Sequence, residues 1–521
     1  MIDFLLVPLA LAYLLVVGAL FAFGINFFYL TLLAWRGRRK HESGQVETRP
    51  DTLEIEGEWP LVTVQLPIYN ELYVAERVIE AAARLDYPPD RLQIQVLDDS
   101  TDETRTIVAA AVKRLQASGA PIEHVTRPAR AGYKAGALKA GLMGAKGKFI
   151  AVFDADFVPP PDFLHRTLPY FGEHTAFVQA RWGHLNRNYS LLTSLQSVAI
   201  DAHFVVEQHA RWVGGLWFNF NGTAGVWRKT AIEDAGGWTA ETLTEDLDLS
   251  YRALLRGWHG RYLRSMEVPA ELPVSISAFR RQQHRWARGS LECALKLGPQ
   301  VWNSDAPLRV KLAATFHLGG YGVHLLLFIL SLMYPAVLLL SQRYPQLITL
   351  FGIAYVFNFT ALAPTCFFIV GQQHLGRNWL RVLPKILFIT AVGSGLMMNT
   401  VRAALQIMTR KPNRFERTAK FGIVRAKQSW TGKRYQLKLD GIVFWELGVA
   451  ALNLGTVLYA IRLGNWAVAF YAAVFAVGLL YVSGLTIAQT IAVYRQHRAA
   501  NRLRPLPLQL SLETDQLESG D

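Results

Sequence analysis

Residues 5–34 carry no charged side chain. As a helix, at 1.5 Å per residue, this run is about 45 Å long, more than the ~30 Å hydrocarbon core of a bilayer. Asp3 precedes the run, and Arg36, Arg38, Arg39 and Lys40 follow it. A secretory signal has a basic start and a shorter apolar stretch. The charge pattern therefore predicts a retained membrane helix whose C-terminal end faces the cytosol. Further long apolar runs come only after residue 310, at 317–340, 347–370, 383–408, 441–461 and 466–492. Between residues 41 and 310 the composition is that of a globular domain.

The expected organisation follows from this distribution. Residues 1–36 form an N-terminal transmembrane helix and 55–300 a cytosolic domain. Residues 301–408 hold transmembrane and interfacial helices, and 409–440 a cytosolic loop. Residues 441–494 form two transmembrane helices and 495–521 a cytosolic tail, whose acidic end is expected to be disordered. The run 383–408 is expected to lie along the cytosolic interface or dip into it. Arg377 and Arg381 precede it, and 409–440 carries ten Lys/Arg against two acids. A single crossing would leave one of these basic loops outside. Arg402 within the run is costly in lipid. Five crossings remain, with the N-terminus outside and the C-terminus inside.

The net charge of +14 is not the footprint of a nucleic-acid binder. Much of the excess lies in 36–40, in 409–440 and after 494, beside membrane segments. The two cysteines, Cys293 and Cys366, allow no disulfide framework and no metal-spaced Cys/His cluster.

Within the globular region, 61–71, 91–99 and 147–157 read as strands, with helical stretches near 71–85, 102–117 and 134–145. This alternation predicts a mainly parallel α/β sheet. Ligands of such sheets sit beyond the carboxyl ends of the strands. Those ends carry Asn70-Glu71, Asp98-Asp99 and Asp154-x-Asp156. Two residues apart in extended backbone, Asp154 and Asp156 point the same way. Two carboxylates on one side suit a hard divalent cation that takes the rest of its shell from phosphates and water. Arg127, Arg130 and Lys134 lie in a glycine-containing loop able to meet a diphosphate. Thr244-Glu245-Asp246 opens a helical pattern, where first-turn acids also complement the helix dipole. Arg285 supplies a bidentate cation and Trp286 a flat apolar platform. His203, Glu207 and His209 have a spacing open to a metal. A helix packed at the membrane surface is the simpler reading of 190–215.

Asp98, Asp154-x-Asp156, Thr244-Glu245-Asp246 and Gln282-Gln283-His284-Arg285-Trp286 occur in the order of the D, DxD, TED and QxxRW motifs. In this the chain resembles the processive family 2 glycosyltransferases that include cellulose synthases, most closely the plant cellulose synthase-like A and C branches. The resemblance spans about residues 60–300. It implies a GT-A-like, Rossmann-like fold and a nucleotide-diphosphate sugar donor, UDP-glucose or GDP-mannose. Asp98, with Asp99 beside it, is implied at the nucleoside, with Tyr69 and Glu71 near the base. Lys134, Gln282 and Arg285 are implied on the donor side toward the diphosphate. Asp154 and Asp156 are implied to hold the nucleotide with Mg²⁺ or Mn²⁺. Thr244, Glu245 and Asp246 are implied as the catalytic triplet, with Asp246 as general base. Trp286 and the loop Phe220, Asn221, Gly222 and Thr223 are implied around the acceptor end. Phe415, Thr418 and Lys420 match a gating loop, with Arg417 where the pattern has Val. The tail is too short for the cyclic-di-GMP-binding domain of the bacterial enzymes. The implied activity is polymerisation of a β-1,4-linked glucan, mannan or glucomannan, with the growing polysaccharide passing through the enzyme's own membrane bundle. The implied location is a bacterial inner membrane, or the Golgi in a eukaryote. A lipid-glycosylating transferase and a silent nucleotide-sugar sensor are the alternatives.

Overall fold

The computed structural model describes residues 2–42, 58–344, 358–412, 415–425, 427–436 and 439–502. The linker after residue 42, much of the run 347–370 and the tail from 503 lie outside the described residues.

The central sheet has seven strands: β1 (Val62–Ile68), β2 (Leu92–Asp98), β3 (Ile122–Thr126), β4 (Phe149–Val152), β5 (Thr175–His184), β6 (Gly225–Arg228) and β7 (His259–Ala270). Their spatial order is β3-β2-β1-β4-β6-β5-β7. The first four run parallel. β6 is antiparallel to both β4 and β5, which makes the sheet mixed. β1, β2 and β4 are near-continuous buried runs because both faces of the sheet are covered. Val64, Ile94 and Ala151 belong to one apolar cluster; Leu97, Ile150 and Trp227 belong to the other.

The helices that matter for the site are α1 (Ile2–Glu42), α2 (Tyr133–Gly144), α3 (Leu191–Ala202), α4 (Glu245–Leu255) and α5 (Ile276–Asn303). Beyond them come α6 (Trp379–Gly395), α7 (Met397–Met408), α8 (Ile442–Arg462) and α9 (Trp466–Arg502). Among the described residues, five helical stretches are long and apolar enough to cross a membrane: Pro8–Gly37, Gly322–Arg343, Trp379–Met408, Ile442–Arg462 and Trp466–Gln496. Tyr13, Val17, Tyr334, Val337, Ala460 and Phe475 tie four of them into one apolar cluster. The C-terminal half of α1 packs on the globular domain, with Leu30 and Ala34 against Ala202, Val206 and Ala210.

The stretch Trp379–Met408 is not one helix. It breaks at Leu396, between α6 and α7. The break lies where Gly395 presses on α9: a Cβ there would sit 2.3 Å from the Gly478 carbonyl oxygen. Both ends of the pair touch the globular domain. Before α6, Arg264 of β7 donates to the His374 carbonyl at 2.8 Å, and Arg377 pairs with Asp201. After α7, Arg288 of α5 donates to the Lys411 carbonyl at 2.6 Å.

Candidate active site

β1, β2 and β4 are parallel, so their carboxyl ends share one edge of the sheet. β4 stops at Val152, so Asp154 and Asp156 stand in a turn beyond the strand, not on it. The sheet edge is the floor of a pocket whose walls come from four other parts of the chain. Tyr69, Glu71, Asp99, Lys134, Asp154 and Asp156 line the floor. Asn221 and Gly222 come from the loop before β6, and Thr244, Glu245 and Asp246 from the start of α4. Gln282, Arg285 and Trp286 come from α5, and Phe415, Thr418 and Lys420 from the 409–440 loop.

Four expected residues do not line this pocket. Arg127 is held by Asp99, its Nε donating to Oδ1 at 2.9 Å. Asp98 is buried and turned toward β3, with His124 Nε2 3.0 Å from Oδ2 and the Ser100 N–H donating to Oδ1 at 2.8 Å. Burial works to raise its pKa, but these partners hold the carboxyl below the ordinary range. Phe220 is fully buried among Phe177 and Trp227. Thr223 lies behind the floor, where its hydroxyl accepts the Asp154 N–H at 2.9 Å. Two lining residues escaped the sequence reading of roles. Glu271, just past β7, is buried and holds Arg77 at 3.2 Å and the Phe421 N–H at 3.0 Å. Arg417 pairs with Glu71 at 2.9 Å. An acid next to the end of a strand was the available signal for Glu271.

Each carboxylate of the Asp-x-Asp pair carries an ammonium. Lys134 Nζ is 2.6 Å from Asp154 Oδ1, and Lys420 Nζ is 2.6 Å from Asp156 Oδ2. Lys134 also donates to the Gly222 carbonyl at 2.9 Å. Burial works to lower the Lys134 pKa, but Asp154 and Glu245 raise it overall, so it stays charged. Burial pushes Asp154 up, against the pull of Lys134. Among the described residues no group of three or more His, Cys, Asp or Glu gathers to hold a metal. Asp154 and Asp156 supply two carboxylates, a number that suits a hard cation taking the rest of its shell from a phosphate-bearing ligand. His203 and Glu207 bind each other, and His209 is buried beside Trp212.

Asp246 sits in the first turn of α4. Burial and the neighbouring Glu245 push its pKa up to about 7, while Lys134 pulls it down. Glu71 is likewise pushed up to about 7 by burial, against Arg417. Two glycines let the walls close. Gly222 has φ +78°, and a Cβ there would lie 3.0 Å from Asp246 Oδ2. Gly289 lets α5 pack on the α4 start; a Cβ there would meet Thr244 at 2.5 Å. The loop closes the top: Phe415 stacks on Tyr133 with ring centroids 6.0 Å apart, and the Arg285 guanidinium lies 4.6 Å from the Phe415 centroid.

This arrangement offers a carboxylate near neutrality, a cation-lined floor and an aromatic wall. Residues 60–289, which supply most of the pocket, match the family described as glycosyltransferase like family 2. Residues 60–289 form a family 2 glycosyltransferase domain. The chain is similar to a probable glucomannan 4-β-mannosyltransferase of Oryza sativa subsp. japonica, 40% identical over 357 residues, 67% of this chain and 59% of the relative. It is 48% identical to a glucomannan 4-β-mannosyltransferase of Arabidopsis thaliana over 249 residues, 47% of each chain. The chain thus spans about half the length of the curated relatives it matches. Among solved structures, a mannosyltransferase from Pyrobaculum calidifontis in complex with GDP-Man and Mn²⁺ aligns over 78% of this chain and 100% of its own, with TM-score 0.49 and 18% identity. In the family 2 domain described here, the QxxRW residues reach the pocket from a helix that is itself bonded to the apolar bundle. Arg280 of α5 pairs with Glu446 of α8 at 2.6 Å and donates to Thr486 of α9 at 3.0 Å.

Proposed function

We propose that this protein is a membrane-embedded, inverting β-glycosyltransferase that builds a 1,4-linked mannan or glucomannan from a nucleotide-diphosphate sugar. The observation that carries the reading is the meeting of Asp246, Arg285 and Trp286 with Asp154 and Asp156 in one pocket. The similarity to glucomannan mannosyltransferases favours mannose over glucose, hence GDP-mannose over UDP-glucose as donor.

In this reading Asp246 takes the proton from an acceptor hydroxyl as that oxygen attacks the anomeric carbon. The bond from the anomeric carbon to the diphosphate breaks on the opposite face, which inverts the configuration. Arg285 faces the negative charge of the leaving group. Asp154 and Asp156 would hold Mg²⁺ or Mn²⁺, which would supply charge neutralisation for the phosphates. Tyr69, Glu71 and Asp99 border the nucleoside side, with Asp98 supporting the sheet edge beneath them. Trp286 offers an apolar ring to the acceptor sugar. Phe415, Thr418 and Lys420 close the pocket over the donor. The contacts of Trp379–Met408 with the globular domain at both ends support a return to the catalytic side without crossing, which would keep the 409–440 loop there.

Purified protein in detergent or nanodiscs, given GDP-mannose and UDP-glucose separately with Mn²⁺ or Mg²⁺, tests the reading by linkage and length analysis. A 1,4-linked polymer of mannose supports it. One sugar on a lipid identifies a non-processive transferase. No turnover of either donor refutes the transferase reading.

A further inference from the structure

The helix that begins at Leu191 changes pitch at Ala202. Residues His203–Gln208 form a π-helical turn, a form that recurs at functional sites. It brings His203 Nδ1 2.9 Å from Glu207 Oε2. Glu207 also accepts from Arg211 Nε at 3.1 Å. Burial works to raise the Glu207 pKa, but Arg211 and His203 outweigh it and hold the carboxyl well below the ordinary range. A carboxylate only accepts, so Nδ1 of His203 carries a proton.

The other ring nitrogen faces the pocket loop. Asn221 Nδ2 lies 3.1 Å from His203 Nε2. The direction of that bond is fixed from its far end. Gln208 Nε2 donates to the Asn219 carbonyl at 3.3 Å and to Asn221 Oδ1 at 2.7 Å. The Asn221 oxygen is thus taken, and its NH₂ must face His203. An NH₂ requires an acceptor, so Nε2 presents its lone pair to Asn221. The backbone N–H of Asn221 is held too, by Gln179 Oε1 at 2.8 Å. One side-chain N–H of Asn221 remains, in a residue that lines the pocket next to Gly222 and Asp246.

We infer that His203 and Glu207 are positioning residues that fix the Asn221 amide so that its free N–H holds the acceptor sugar beside Asp246. The inference rests on the proposed transferase reading. Glu207 sets the tautomer, His203 sets the amide, and the amide presents one donor to a sugar oxygen. Neither His203 nor Glu207 touches substrate.

The test uses the full-length purified protein, the sugar donor and a manno-oligosaccharide acceptor. His203→Ala should raise the acceptor KM about tenfold, the size of one positioned hydrogen bond of ~1–1.5 kcal/mol. It should also raise the share of donor lost to water, with the donor KM unchanged. His203→Gln should restore transfer to near wild type, because its Oε1 can accept where Nε2 did. Glu207→Gln gives an independent reading if His203→Ala does not accumulate in membranes. It lets the Gln NH₂ donate to Nδ1, moves the ring proton to Nε2 and should produce the same acceptor defect. Equal loss in His203→Ala and His203→Gln, or an unchanged acceptor KM in His203→Ala or Glu207→Gln, overturns the inference. A wild type that turns over no donor sinks the transferase reading instead.

Discussion

Lys420 stands where a divalent cation would bind. Its ammonium is 2.6 Å from Asp156 Oδ2, it also donates to the Glu271 carbonyl, and it is buried. A cation arriving at Asp156 must displace it. The gross attraction of two unit charges at this distance is about 6 kcal/mol at an effective dielectric of ~20. Most of that is offset when both groups regain solvation, and a charged hydrogen bond contributes about 1.5–3 kcal/mol net. Lys420→Met should therefore tighten Mn²⁺ binding to the nucleotide-free protein by about 10–100-fold. The loop stays seated in this variant, because the Phe421 N–H remains on Glu271 Oε1 at 3.0 Å. The measurement is a Mn²⁺ titration followed by electron paramagnetic resonance, with Asp156→Ala as the blank. Unchanged or weaker Mn²⁺ affinity in Lys420→Met would show that the lysine and the cation do not compete for Asp156.

Three further outcomes are expected. Asp246→Asn should keep donor binding but lower transfer by about 10²–10⁴-fold; in the wild type the rate should climb as pH rises through about 7, because the base works only when deprotonated and its pKa is pushed up to about 7. A flat wild-type profile from pH 6 to 8 would contradict that assignment. Trp286→Ala should shorten the product more than it weakens donor binding, read by chromatography of the polymer and by nucleotide titration; unchanged length and rate would leave Trp286 with a packing role only. Arg280→Met should destabilise the protein by about 3–5 kcal/mol by stranding Glu446, and the double variant Arg280→Met with Glu446→Leu should recover much of the loss in thermal unfolding; equal stability of the single variant and wild type would show that the pair carries no weight.

The parallel half of the sheet was legible because β1, β2 and β4 are short buried runs that end in polar residues at one edge. The antiparallel β6 was not. Nothing within Gly225–Arg228 itself fixes the direction of its partner. The pocket residues read from motifs lie together mainly where the motif fixes a helix or strand end, as at Asp154 and Asp246. Asp98 and Asp99 show the limit. Adjacent positions leave a strand on opposite sides, and pattern alone did not say which faces the pocket; His124 on the next strand captures Asp98. Glu271 was missed for another reason. Its role depends on Arg77 and Phe421, 194 and 150 residues away along the chain.

α5 explains why the pocket and the bundle form one machine. Along this one helix, Arg280 is bonded to α8 and α9, Gln282, Arg285 and Trp286 line the pocket, and Arg288 donates to the Lys411 carbonyl of the loop. Gly289 presses the same helix onto Thr244, one residue before α4, whose first turn holds Asp246. Packed interiors do not deform continuously, so a shift at one contact is felt at the others. A displacement of α8 or α9 that moved Arg280 would carry Arg285 and Trp286 with it, and would press or release Thr244. Charge made this coupling hard to see in the sequence, because Arg280, Arg281, Arg285 and Arg288 read as one basic run. In the fold they face different partners: Glu446 in the bundle, Glu416 in the loop, the pocket with Phe415, and Glu292 on the helix itself. The four arginines turn one helix toward the bundle, the loop, the pocket and its own next turn.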